Sequence, residues 1–394
     1  MEYKIPFGKK IQKITTDKQI VILKKEESIN VDINFDLNHF RNFTQHIESL
    51  LIIVNDHSRI TPTIKILDII FNEIKKISHI RFIIATGTHR MPSQDEQKKI
   101  FGKYFDSISK KIIIHKGNSE DVDFYGTTNW GTNVYFNSIL KKYKNVLAIG
   151  GVEPHYFAGF SGGAKSFFPG IAHYNSIEQN HKLALKSTSV ILNTKSNPVS
   201  LDIWEAVSFL KNKIYSIQCV NDKDGNLRYV AQGNLKESFK KAVSFAKSEF
   251  SIKVNEKADI LVTVVNSPFD KNFYQAHKGL ENTKSILKKG GIMILVAECS
   301  EGIGKDNFYK LLHNKTLLTE NNYKLGYHKT AKILEFLSYH KLFFVTDIKP
   351  SLFYGINIEI FNSIQKAFDK AIKILPNAKN ICIVHNSAVT VPIV

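Results

Sequence analysis

Cysteine is scarce in this chain of 394 residues: only Cys219, Cys299 and Cys382 occur, odd in number and far apart. That spacing excludes a disulfide scaffold and any CxxC metal knuckle, and it fits a reducing compartment. Long apolar runs are also lacking. None approaches the roughly 18–20 residues that a membrane-crossing helix needs, which excludes an integral membrane protein. The opening Met1-Glu2-Tyr3-Lys4-Ile5-Pro6-Phe7-Gly8 has no basic stretch followed by an apolar one, so no secretory signal is expected. A cytoplasmic protein without a membrane partner is the expectation. Acidic residues are the minority, 36 against 54 Lys and Arg, for a formal charge of +18. The lysines fall in scattered doublets, with no basic block interleaved with aromatics and no zinc-finger or RNA-binding signature. No nucleic-acid partner is expected; the positive field favours small anions such as carboxylates and phosphates.

What the chain does have is a set of short Ile- and Val-rich runs, each followed at once by a polar or glycine-rich cluster. The runs cover 49–54, 80–85, 145–149, 258–265 and 292–297, and two more lie at 342–345 and 381–384. Runs of this length bounded by turn residues predict strands buried on both faces. Amphipathic stretches at 63–77, 237–250 and 280–288 predict helices between them. The alternation implies an α/β fold: two lobes of mostly parallel sheet flanked by helices. The boundary is expected near residue 252, with an N-terminal domain over 1–252 and a C-terminal domain over 253–394 closing over a cleft. Ligands in such folds bind beyond the carboxyl ends of the strands, where the polar clusters fall, so the active site is expected in the interlobe cleft.

The densest cluster runs from Gly150 to Gly170 and contains Gly159-Phe160-Ser161-Gly162-Gly163-Ala164-Lys165-Ser166. Glycines allow close approach of backbone, and successive N–H groups can cradle an anion. The segment departs from a P-loop by Ala164 in place of the final glycine. A P-loop also needs a helix starting at its lysine, which Phe167-Phe168-Pro169-Gly170 would break. His89 and His155 each follow an apolar run, and His181 falls in or near a helix. Three histidines could hold zinc, but no HxxxH or HExxH spacing supports it. Asp56 and Arg59 flank a turn; they suit either a carboxylate or hydroxyl ligand or a local pair capping the next helix. Tyr274, Gln275 and Lys278 share one face of a predicted helix start.

Asp56-His57-Ser58-Arg59, Gly87-Thr88-His89-Arg90, Glu153-Pro154-His155, the Lys165 loop, Asn180-His181 and Tyr274-Gln275-Ala276-His277-Lys278-Gly279 together resemble the nickel-dependent lactate racemase family. Ala297-Glu298-Cys299-Ser300-Glu301-Gly302-Ile303-Gly304 resembles it as well. The resemblance implies racemisation or epimerisation of a lactate-like 2-hydroxy acid by reversible hydride transfer. It implies a nickel-pincer nucleotide, a pyridinium mononucleotide with two sulfur arms, joined to Lys165 and supplied by cofactor-biosynthesis enzymes. His181 would be the protein ligand to Ni(II), a metal that soft sulfur donors help to select. His89 and His155 would be acid and base on opposite faces, a task suited to imidazole. Arg59, Lys278, Gln275 and Tyr274 would bind the small anionic substrate, while Asp56, Ser161, Gly162 and Gly163 would line the cofactor. The family carries a second-lobe tryptophan near the substrate, whereas Trp130 and Trp204 both fall in the first lobe here. The preferred substrate is therefore expected to differ from lactate. The alternatives are the same scaffold acting on another hydroxy or sugar acid, and a non-catalytic nucleotide- or anion-binding protein.

Overall fold

Consecutive residues of the strand Ala258–Val264 enter different cores: Leu261 joins one cluster of buried side chains, and Ile260 and Val262 join another. Strand side chains alternate between faces, so a strand with no exposed residue needs cover on both. This is why the runs carry almost no polar residues, and it holds for the strand Ser49–Asn55, whose Leu50 to Val54 are all fully buried. The computed structural model describes residues 1–25, 33–314, 316, 318 and 322–394.

The chain forms two units, one of Ser28–Glu249 and one of Met1–Glu27 with Phe250–Val394. In the first, a six-stranded sheet runs in the order Leu227–Gly233, Lys213–Asn221, Asn145–Gly151, Ser49–Asn55, His79–Ala85, Ile112–Ile114. All pairs are parallel except the one between Lys213–Asn221 and Leu227–Gly233. The chain starts in the middle of the sheet and leaves first to one side and then to the other. Ser49–Asn55 and Asn145–Gly151 therefore flank the point where strand order reverses, and ligands of open α/β sheets bind at such a point.

The second unit has a six-stranded parallel sheet in the order Ile358–Phe361, Lys341–Val345, Leu287–Val296, Ala258–Val264, Ile381–Val384, Val21–Leu23. The mostly parallel two-unit α/β architecture agrees with the expectation, and each predicted run is a strand. Two details differ. The first 27 residues group with the C-terminal unit, not with 28–249. Their hairpin, Glu2–Phe7 with Lys10–Thr15, sends Ile5, Phe7 and Ile14 into the core on one face of the second sheet. The helix expected over 280–288 instead spans Phe273–Thr283, capped by Asn272, and residues from Leu287 already belong to a strand. Leu280 is buried in either arrangement, so periodicity alone does not fix the phase. No helix among the described residues is long and apolar enough to cross a membrane.

His115, just past Ile112–Ile114, is wholly buried; its Nε2 is 3.0 Å from the Ala172 carbonyl, and Asn137 lies at 3.4 Å from Nδ1. Burial pushes its pKa down to about 4. The unfolded imidazole takes a proton below about 6.5 and the folded one only near 4, so the unfolded state binds more protons in that window. Stability should fall as pH drops from about 6.5 to 4. Thermal unfolding across that range should show the fall, and His115→Gln should reduce its slope.

Candidate active site

The carboxyl ends of Ser49–Asn55 and Asn145–Gly151 are tied together by Asn55, whose Oδ1 accepts from the Gly151 amide (3.2 Å) and the Thr61 hydroxyl (2.8 Å). Directly beyond Asn55, the chain turns on Asp56. Its carboxylate is almost fully buried and accepts from Ser58 Oγ at 2.7 Å and His89 Nδ1 at 2.8 Å. Burial alone would raise the Asp56 pKa; the bonds from His89 and Ser58 and the charge of Arg59 outweigh it and hold the carboxyl below its usual range. An ionised carboxylate only accepts, so His89 Nδ1 carries a proton, and in the neutral ring the lone pair falls to Nε2. The His89 ring is half exposed. This orients a base toward solvent on the rim of the sheet.

Arg59, expected either as a ligand anchor or as the partner of Asp56 in a helix cap, donates from Nη1 to Glu153 at 2.9 Å. Glu153 lies beyond the neighbouring strand, in a short hairpin pairing Pro154–His155 with Gly159–Phe160. The hairpin presents His155 with its ring stacked on Tyr156 (5.4 Å) and edge-on to Phe157 (4.5 Å). Phe157 also gathers a lysine and a second histidine around its ring. Lys165 Nζ sits 5.8 Å from the ring centroid, and His181 meets it edge-on at 5.0 Å. Lys165 belongs to a 3-10 turn over Gly163–Ser166, not to the α-helix that a P-loop demands, and His181 to the helix Tyr174–Lys182.

The surroundings push the pKa of both groups down. Desolvation, reinforced by the charge of Arg59 and only partly opposed by Glu153, drives the Lys165 amine well below the ordinary lysine range. Desolvation and then Lys165 push His181 down to about 3, against a backbone bond to Ile177 that acts the other way. A neutral amine is a nucleophile and a neutral imidazole is a metal ligand. Among the described residues, no three His, Cys, Asp or Glu side chains are grouped to hold a metal unaided. A metal at His181 would need donors from elsewhere.

Ser161 and the glycines, expected to line a ligand, also have work within the protein. Ser161 Oγ donates to the Gly151 carbonyl and accepts from the Glu153 amide, both at 2.9 Å. A Cβ at Gly162 would stand 2.5 Å from Val152, and one at Gly163 2.6 Å from the Phe239 ring; both glycines have positive φ. They let the Lys165 turn pack down onto the sheet. The Gly163 amide reaches Gln218 at 2.7 Å. Glu153 and Phe157 were missed as functional residues although both lie inside the glycine-rich segment. The pairing of Glu153 with Arg59, across 94 positions, has no sequence signal.

Tyr274, Gln275 and Lys278 lie in the other unit, on the helix Phe273–Thr283. Phe273, Ala276 and Leu280 are buried, leaving these three half-buried on the remaining face. Lys278 Nζ lies 4.5 Å over the Phe269 ring, and Lys329 Nζ 3.5 Å over that of Tyr274.

Family models for the lactate racemase N-terminal and C-terminal domains match residues 1–192 and 252–393. The lactate racemase of Thermoanaerobacterium thermosaccharolyticum is 30% identical over 352 residues, 84% of this chain and 81% of that protein. The chain belongs to the lactate racemase family. It is accordingly a racemase, an isomerase. The lactate racemase of Lactiplantibacillus plantarum is 27% identical over 82% of this chain and 80% of its own length. In fold, the family likeness extends over the whole chain: the lactate racemase apoprotein from T. thermosaccharolyticum superposes with a TM-score of 0.87 at 24% identity, covering 100% of both chains. A Thermotoga maritima protein superposes with a TM-score of 0.66 at 16% identity, covering 91% of this chain and 96% of its own.

Gly163→Ala should destabilise the protein by about 1–3 kcal/mol, through overpacking against Phe239 and strain at positive φ. Urea unfolding of the variant against wild type measures it.

Proposed function

We propose that this racemase interconverts the enantiomers of a lactate-like 2-hydroxy acid with a nickel-pincer nucleotide attached at Lys165. The observation that carries the proposal is the meeting of a desolvated amine and a desolvated imidazole at the Phe157 ring. Three features fit the group. Desolvation lowers the pKa of the Lys165 amine, which favours the neutral form that bond formation to an acyl or thioacyl carbon requires. His181 offers one soft-to-borderline nitrogen, suited to completing a sulfur-rich donor set for Ni(II). Ser166 Oγ and Gln218 Nε2, beside the lysine turn, are buried and make no hydrogen bond among the described residues, so the turn has polar atoms to offer.

When bound, that group supplies a hydride acceptor for the substrate Cα. The rest of the reaction falls to the side chains. Arg59, steadied by Glu153, offers further donors of its planar fork to the substrate carboxylate. His89, with Nδ1 pinned by Asp56, takes the hydroxyl proton at Nε2. His155 does the same for the opposite enantiomer, so each turnover uses one histidine as base and the other as acid. Asp56, expected to line the cofactor, acts instead as the positioning residue for His89. Lys278, Gln275 and Tyr274 are the further substrate-binding residues of this reading. The protein works in the cytosol with its three buried thiols reduced, and receives its nucleotide from the enzymes that make it. Neither nucleic acid nor membrane enters this reading.

Intact mass and metal analysis after co-expression with the cofactor-making enzymes provide the test. Wild type should carry an adduct and stoichiometric nickel; Lys165→Ala should lose the adduct, and His181→Ala should lose nickel while keeping it. An undiminished adduct on Lys165→Ala would reject the assignment, and an unmodified, nickel-free wild type would favour a plain anion binder. His89→Ala and His155→Ala should each slow racemisation about 10²–10⁴-fold in both directions, as chiral chromatography on a panel of 2-hydroxy acids would report.

A further inference from the structure

Behind His181 lies a buried polar chain that the reaction does not use. Asp202, fully buried on the helix Pro198–Ser208, accepts from Thr128 Oγ1 at 2.5 Å, Thr132 Oγ1 at 2.9 Å and Asn180 Nδ2 at 2.7 Å. Asn180 is itself fully buried, and the same Nδ2 lies 3.1 Å from the Val199 carbonyl. Its Oδ1 stands 3.1 Å from His181 Nδ1.

These contacts allow one assignment of hydrogens. A backbone carbonyl can only accept, so the Asn180 atom facing Val199 must be the NH₂, whatever the protonation of Asp202. The other end of the amide, facing His181, is then the oxygen. A carbonyl oxygen at hydrogen-bond distance requires a donor, so Nδ1 of His181 carries the proton. The lone pair of the neutral ring is thereby left on Nε2.

We infer that Asn180 and Asp202 are positioning residues that lock His181 in the Nδ1–H tautomer and so make Nε2 the metal-binding atom. Partners of this kind on the far nitrogen of a metal-binding histidine fix its ring and raise its basicity, and their loss typically costs about 10–100-fold in metal affinity. The two threonine hydroxyls hold the Asp202 carboxylate, Asp202 and Val199 hold the amide, and the amide holds the ring together with a backbone bond to Ile177. The inference rests on His181 as the nickel ligand only for its functional consequence; the tautomer itself is a property of the protein without metal.

The test has two parts. Long-range proton–nitrogen NMR on histidine-labelled protein lacking nucleotide and nickel, with His181 assigned by its loss in His181→Gln, should give a pyrrole-type Nδ1 and a pyridine-type Nε2. The reverse pattern, or a mixture of both tautomers, overturns the inference. In protein loaded at Lys165, Asn180→Ala should retain the adduct mass but bind nickel about 10–100-fold more weakly. Asp202→Asn, whose amide oxygen still accepts from Asn180, should keep both the tautomer and most of the nickel. If Asn180→Ala proves unstable, Asp202→Asn against Asp202→Ala gives the same comparison. Nickel unaffected by Asn180→Ala but lost in His181→Gln overturns the positioning role alone; nickel retained in His181→Gln overturns the ligand reading and leaves the tautomer result standing.

Discussion

Burial of the central strands on both faces is the constraint that shapes the site. A strand with every residue from Leu50 to Val54 inside cannot carry a functional group along its length. Polar chemistry is pushed to the first residues after the strand, and there it is concentrated. Asn55, Asp56 and Arg59 follow one strand, Thr86 and His89 the next, and Glu153 and His155 the third. Because Ser49–Asn55 lies between the other two, three short polar segments separated by up to a hundred residues meet at one edge. The sheet fixes their spacing before any side chain contributes.

Charge is matched to partners at this end of the sheet. Asp56, almost fully buried, stays ionised because His89 and Ser58 bond to it, and in turn it sets the orientation of His89. Arg59 and Glu153, both partly exposed, pair with each other. Lys165 and His181 meet at an aromatic ring, and desolvation lowers the pKa of both.

Most of this was readable in the chain, for identifiable reasons. Apolar runs of β-branched residues ending in polar clusters specify buried parallel strands with little ambiguity, and each appeared. The helix after Val265 was misphased because Leu280 is a buried position in either register, while the N-cap at Asn272, bonding the Gln275 amide, has no apolar period to announce it. Residue types suited to the chemistry, His89, His155, Lys165 and His181, stood out on motif grounds. Their partners did not. Asn180–Asp202 and Arg59–Glu153 are made by tertiary approach, as is the contact of Gly163 with Gln218. Among the described residues, local pattern marks the candidate residues, and only long-range packing shows which of them meet.

The N-terminal hairpin has a consequence for how the chain is made. Thr15 bonds Gln365, 350 positions later, and Val21–Leu23 completes a sheet edge against Ile381–Val384. On the ribosome, this segment emerges long before the strands it packs against are made. The 28–249 unit, one continuous stretch of chain, can condense while the residues after it are still being synthesised. The second unit is instead closed by joining its two ends, a step of very high contact order that waits for nearly the whole polypeptide. Until then Ile5, Phe7 and Ile14 lack the core that they fill in the finished fold.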